Sequence, residues 1–194
     1  MGRRKIGLPF TYFLCSSAIV VLTACGRPAT ELPDYGKVPE FRMVDSQGRD
    51  FDSRSLNGKI WVADFIYTSC PGACPRMTSE MARVSQRLRG EKDVRLVSIS
   101  VDPEHDSPPV LNAFARQYGG PTPTWIFLTG TPQTIHLIAY ETFHMGDIIG
   151  KMDHSTKFAL VDGQGHIRGY YDSFDPASIQ KMLGDVEALR EASS

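Results

Sequence analysis

Apolar positions along this chain fall into two periods, and their order predicts a fold. Lys59 to Tyr67 (KIWVADFIY) and Val94 to Val101 (VRLVSISV) are nearly continuous apolar runs, the pattern of strands covered on both faces. Between them Met77, Met81, Val84 and Leu88 recur at spacings of four, three and four, which predicts a helix with one apolar stripe. A short hairpin is expected from Phe41 to Asp45 and Arg49 to Phe51 around Ser46-Gln47-Gly48. Further along, a helix across Val110 to Gln117, a strand at Thr124 to Leu128 and a helix from about Pro132 to Phe143 are expected. Strands at Thr156 to Val161 and His166 to Tyr171 enclose the turn Asp162-Gly163-Gln164-Gly165, and a last helix runs from Pro176 to Leu189. Strand and helix alternate and a hairpin closes the series. The expected class is therefore α/β, with a central sheet mixing parallel and antiparallel strands.

The N-terminal segment follows a different pattern. Arg3, Arg4 and Lys5 precede a mostly apolar run from Ile6 to Ala24, ending Leu22-Thr23-Ala24-Cys25-Gly26. That order of charge, apolar stretch and small residues is that of a secretory signal over residues 1–24. An uncleaved membrane anchor is the alternative, since a run of this length can span a bilayer. The end of the run resembles a bacterial lipobox, with Cys25 as the residue that would be lipidated and become the new N-terminus. Either way the domain is expected outside the cytoplasm and held at a membrane, on the periplasmic side of a bacterial inner membrane. Residues 25–39 are polar and punctuated by Pro28, Pro33 and Pro39, so they read as a tether. Residues 40–190 then suit a single domain of about 150 residues with one core. Net charge is −1 and no basic cluster recurs in that domain, which argues against a nucleic-acid partner.

Four cysteines are present, and two of them, Cys15 and Cys25, lie in the export segment. The domain thus carries one pair, Cys70 and Cys74, and no disulfide framework. The pair sits where the first long strand meets a helix. A helix N-terminus offers unpaired N–H groups and the positive end of the dipole, both of which favour thiolate. Thiolates exchange disulfides or bind soft metals.

A cysteine pair at a strand-to-helix junction in this element order looks like a thioredoxin-like domain with an N-terminal hairpin and an inserted strand–helix unit. The redox version of that fold has Cys-x-x-Cys and a cis-proline at the head of the later hairpin. This chain has one more residue between its cysteines and Asp153-His154-Ser155 at the hairpin head.

The resemblance sharpens on four segments taken together. They are Cys70-Pro71-Gly72-Ala73-Cys74-Pro75, Ser100-Val101-Asp102-Pro103-Glu104-His105-Asp106, Phe127-Leu128-Thr129-Gly130, and Asp153-His154-Ser155 followed by Val161-Asp162. In that order they resemble the Sco/SenC family, over roughly Phe41 to Leu189. The resemblance implies a copper chaperone for the dinuclear copper site of cytochrome c oxidase. It further implies one copper, as Cu(I), Cu(II) or both, held by Cys70, Cys74 and His154. Implied partners are the copper-bearing oxidase subunit, a copper donor protein and, through the N-terminal lipid, the membrane. Two thiolates and an imidazole suit copper, and zinc with a water would also fit them.

Asp102, Asp106 and Asp153 are expected around the ligands. Asp106 either orients the cysteine loop or caps the following helix. Met77 belongs to the core stripe rather than to the metal, Trp61 and Trp125 to the strand core. His105, His136, His144 and His166 read as surface or satisfied polar residues rather than ligands, with His144, beside Met145 in the loop leading to His154, the one that could sample the metal transiently. The protein is thus expected to be a metallochaperone rather than an enzyme. The alternative is a thiol–disulfide oxidoreductase that reduces a client's cysteines. A peroxidase is disfavoured, because Ala63 and Tyr67 stand where such a site has its proline and threonine.

Overall fold

The computed structural model describes residues 1–2, 32–145 and 156–193. Residues 3–24 of the expected signal segment, Cys25, Asp153 and His154 lie outside the described residues. Seven strands form one sheet: β1 (Arg42–Asp45), β2 (Asp50–Asp52), β3 (Ile60–Ile66), β4 (Val94–Ser100), β5 (Trp125–Thr129), β6 (Lys157–Val161) and β7 (Ile167–Asp172). Their spatial order is β2-β1-β5-β4-β3-β6-β7. Strands β3, β4 and β5 are parallel, while β1 runs antiparallel to β2 and β5, and β6 antiparallel to β3 and β7. The expected mixed sheet is thus found, with its parallel centre made from the continuous apolar runs.

Each central strand is buried on both faces, and β3 exposes none of its seven residues. On one face Val62, Ile66, Leu96 and Phe127 pack with α1 (Ala73–Arg87), α2 (Pro108–Gln117) and α4 (Pro176–Ser193). On the other, Trp61, Phe65, Val97 and Leu128 pack with Ile135, Ile138 and Phe143. The stripe on α1 enters the first of these cores, with Met77, Met81 and Val84 each fully buried. Such a side chain contributes about 1.5–3 kcal/mol relative to exposure, so the stripe fixes how α1 lies on the sheet. Two prolines stand in the first turn of α2, where their missing N–H costs nothing. The β1–β2 turn is held by Asp45, whose carboxylate accepts the N–H groups of Gln47 and Arg49, each at 2.9 Å, while Gly48 takes φ 79°.

Two segments depart from expectation. The helix over 132–143 is a short α3 (Pro132–Ile135) that continues as a π-helix, His136–Thr142. The wider turn brings Ile138, Ala139 and Phe143 onto the sheet together. Second, the tether stops earlier than Pro39. The Tyr35 N–H donates to Ile167 O, Ile167 N–H to Gly36 O, and Val38 N–H to Gly165 O, each at 2.9 Å. Val38 is buried, Tyr35 meets Tyr170 edge-on at 5.3 Å, and Asp34 Oδ2 lies 2.9 Å from His166 Nδ1. Residues 34–38 therefore belong to the folded body, laid along the terminal hairpin.

Candidate metal centre

Strand β3 delivers its chain into the turn Tyr67 to Gly72, and α1 begins at Ala73 with Gly72 as its cap residue. Gly72 has no side chain with which to cap, and Cys70 takes over that task. The backbone N–H of Cys74 donates to Cys70 Sγ at 3.4 Å, so a sulfur lies against the helix N-terminus. Both cysteines are free, and both are buried, with 5% and 1% of their surfaces exposed.

Their acidities diverge. Burial disfavours the Cys70 thiolate, but the N–H groups of Cys74 and Gly72, the Cys74 thiol and the Tyr67 hydroxyl outweigh it, and Cys70 falls below the ordinary thiol value. Burial pushes Cys74 up to about 12; the Tyr67 backbone N–H opposes this, while Cys70 and Asp64 add to the rise. One sulfur is thus ready to attack or to bind, and the other keeps its proton until something replaces it. Tyr67, whose hydroxyl bonds to Cys70, is itself pushed up to about 12, mainly by burial and then by that thiol.

Beneath the pair lies Asp64, fully buried in the middle of β3. It occupies the inward position between Val62 and Ile66, where the strand pattern calls for an apolar side chain. Neither carboxylate oxygen has a hydrogen-bond partner among the described residues. Ser98, opposite it in the β3–β4 ladder, accepts the Trp125 indole N–H at 3.0 Å. Burial drives Asp64 up to about 7, and the nearby Ser98 hydroxyl offsets this only in part.

The loop that follows β4 braces the cysteine turn. Asp106 is fully buried; its carboxylate accepts the Thr68 N–H at 3.0 Å, the Thr68 hydroxyl, and the Ser100 hydroxyl at 2.6 Å. The cap of α2 is Ser107, which makes no side-chain capping bond. Of the two roles open to Asp106 in the sequence, the loop contact is the one observed. Asp102 takes His105 Nδ1 at 2.8 Å, an interaction that raises the His105 pKa, and its charge adds to the rise at Tyr67. His105 and His166 are thus polar residues satisfied by aspartates, as expected, and His136 approaches Glu141 at 3.4 Å. His144 bonds the Tyr140 carbonyl at 3.2 Å.

Cys70 and Cys74 are the soft donors this region gathers. Among the described residues no group of three or more histidine, cysteine or acidic side chains stands close enough to hold a metal. The chain re-enters the structure at Thr156, which Ser173 grips through its N–H and hydroxyl at 2.9 and 2.6 Å. Asp64, Tyr67 and the pairing of His105 with Asp102 were not singled out for the site from sequence. Of these, only Asp64 left a signal there, as a charge inside an apolar run.

A mixed sheet with a dithiol between the end of a buried parallel strand, β3, and the start of a helix is that of a thioredoxin-like domain. The profile of the SCO1/SenC family matches residues 30–191, and the chain belongs to that family. It is 34% identical over 175 residues to a SCO1 protein homolog of Bacillus subtilis strain 168, covering 86% of this chain and 90% of that protein. A relative from Stutzerimonas stutzeri named for copper binding is 30% identical over 149 residues, covering 72% of this chain and 71% of that one. Among solved structures, BsSco, described as a Sco-family cytochrome c oxidase assembly protein with a disulfide switch, superposes with a TM-score of 0.70. It is 32% identical and covers 82% of this chain and 95% of that one.

Proposed function

We propose that this chain is a membrane-tethered, extracytoplasmic copper-binding protein that delivers copper to, or helps assemble, the dinuclear copper site of cytochrome c oxidase. The observation that carries the reading is the reduced pair Cys70 and Cys74, free and adjacent on one turn. Two sulfurs supplied by one turn form a soft donor set open on one side, which suits Cu(I). His154 completes the set as the third ligand. It stands two residues before Thr156 and eighty after Cys74 in sequence, so copper would be held by two separate parts of the chain and leave when one of them moves. Loading drives off the thiol protons, the more tightly held being that of Cys74. Asp106 keeps the turn in place, and Cys25, lipidated, keeps the domain at the membrane. The family and the names of its relatives support copper as the cargo.

The test is metal analysis of the reduced chain after exposure to limiting Cu(I), with x-ray absorption to count sulfur and nitrogen neighbours. One copper per chain with two sulfurs is expected. His154→Ala should lose copper to a competing chelator far faster than wild type, and equal retention would reject the three-ligand set.

A second reading, reduction of a client's disulfide, is favoured by the unequal thiols. In that reaction Cys70 as thiolate attacks one sulfur of the client disulfide and releases the other as thiolate. Cys74, deprotonated, then attacks Cys70 Sγ, leaving a Cys70–Cys74 disulfide and a reduced client. Oxidation of the pair in air at equal rates with and without Cu(I) would favour this reading over the first.

A further inference from the structure

A groove of about 530 Å³ runs between α1 and the start of α4, beginning at Pro75 and Arg76, directly after Cys74. Arg76, Arg83 and Arg87 line its α1 wall, and their spacings of seven and four put them on one helical face. Phe174 and Ile179 give it apolar surface. The single acidic residue in the lining, Glu80, is already paired to Arg83 at 2.7 Å. Arg76 lies over the Phe174 ring, 4.1 Å from its centroid, which holds the guanidinium flat. Neither Arg76 nor Arg87 has a carboxylate partner among the described residues, although Arg168 and Arg190 elsewhere are tied to carboxylates at 2.8 and 2.9 Å. The groove therefore keeps two uncompensated guanidinium groups in a concave, partly apolar wall.

Its position connects it to the dithiol and to the return of the chain. One end is the first turn of α1. The far rim includes Ser173, the residue that grips Thr156. An occupant of the groove would touch the first turn of α1, next to Cys74, and Ser173, which bonds the Thr156 carbonyl two residues after His154.

We infer that this groove is the docking surface for an extended acidic segment of a second protein, the one with which the dithiol exchanges its cargo or its electrons. Arg76 and Arg87 are eleven residues apart on a straight helix, about 16 Å, which an extended chain spans in about five residues. Side chains of an extended chain alternate faces, so the recognised feature is a pair of carboxylates four or six positions apart, both facing α1, with an apolar residue between them to meet Phe174 and Ile179. Arginine binds carboxylate through two parallel hydrogen bonds, so the spacing as well as the charge is read. The inference rests on the proposed function for its choice of partner, but the binding it predicts needs no copper.

The test uses the full chain in neutral detergent and a fluorescein-labelled peptide with glutamates four or six residues apart, followed by fluorescence anisotropy. Apo protein should bind the peptide, and raising salt to about 0.2 M should weaken binding. The double variant Arg76→Glu/Arg87→Glu should lose tenfold or more in affinity, equivalent to about 1.4 kcal/mol. Arg87→Glu alone, at an exposed position far from the cysteines, should lose part of it. Arg116→Glu, outside the groove, should bind like wild type. Three results would overturn the inference: the double variant binding unchanged, Arg116→Glu losing as much as the double variant, or the arginines binding phosphatidylglycerol vesicles but not the peptide. Peptide binding without copper binding would leave the groove standing and reject the copper reading; the converse would reject the groove alone.

Discussion

The Asp106 carboxylate accepts both the backbone N–H and the hydroxyl of Thr68, thirty-eight residues earlier in the chain and two before Cys70. A third bond, from Ser100, keeps the carboxylate in place. The loop after β4 thereby sets the path of the cysteine turn without touching a sulfur.

Replacing Asp106 with alanine leaves these donors buried and unpaired. About 2–4 kcal/mol of stability should be lost, as expected for a buried charged acceptor. Chemical denaturation measures that loss. Asp106→Asn retains one acceptor and should sit between the alanine variant and wild type. Both variants should release Cu(I) faster to a chelator, because the turn carrying Cys70 is less constrained.

Asp64 predicts a pH dependence. Its folded-state pKa of about 7 lies above the ordinary carboxylate value of 3.8, so the folded protein binds the proton more tightly than the unfolded chain does. The stability from the neutral form is complete below about pH 4 and declines as pH rises through 7, by about 1.4 kcal/mol per unit at most. Asp64→Asn removes the charge and should be more stable than wild type above pH 7, with the gap closing at low pH. Thermal unfolding of both proteins across that range checks it. A gap that widened on acidification would have the wrong sign.

Cys70 and Cys74 should differ in reactivity. With the metal removed and the pair reduced, iodoacetamide at neutral pH should label Cys70 first. Cys74, held protonated and almost wholly covered, should react only after unfolding. Peptide mapping of the labelled protein distinguishes the two sites, and Cys74→Ser should leave the rate at Cys70 within a few fold of wild type.

Processing at Cys25 can be read from mass. Intact-mass measurement of protein extracted from membranes should show loss of residues 1–24 and the gain of acyl chains. Among the described residues no helix is long and apolar enough to cross a membrane, so a mass that still includes Met1 would make the N-terminal segment itself the anchor.

Much of the fold was legible because its elements carry strong local patterns. The buried runs around Val62 and Val97 and the Met77–Met81–Val84 stripe each point to one period, and each forms the expected element. Residues 34–38 were misread as tether because they are held by backbone bonds and by single contacts of Asp34, Tyr35 and Val38, too few to set up a side-chain period. The π-helix after Ile135 was not legible either, since a short apolar run does not separate 3.6 from 4.4 residues per turn. At the site, the cysteines announced themselves, whereas Asp106 could be chosen over its capping role only once Thr68 was seen beside it. Asp64 was hidden by its setting, as one polar residue seldom outweighs a run of apolar neighbours.

The docking of residues 34–38 on the terminal hairpin also sets a working radius. If Cys25 is lipidated as proposed, the span from it to the first residue packed on the core, Leu32, is seven residues, against fourteen to Pro39. At full extension that is about 25 Å rather than about 50 Å, and the volume the domain could sweep, scaling with the cube of the span, falls to roughly an eighth. A membrane-embedded client would then meet the dithiol at about eight times the local concentration the longer span would allow, and the shorter reach would confine delivery to sites that lie close to the bilayer surface.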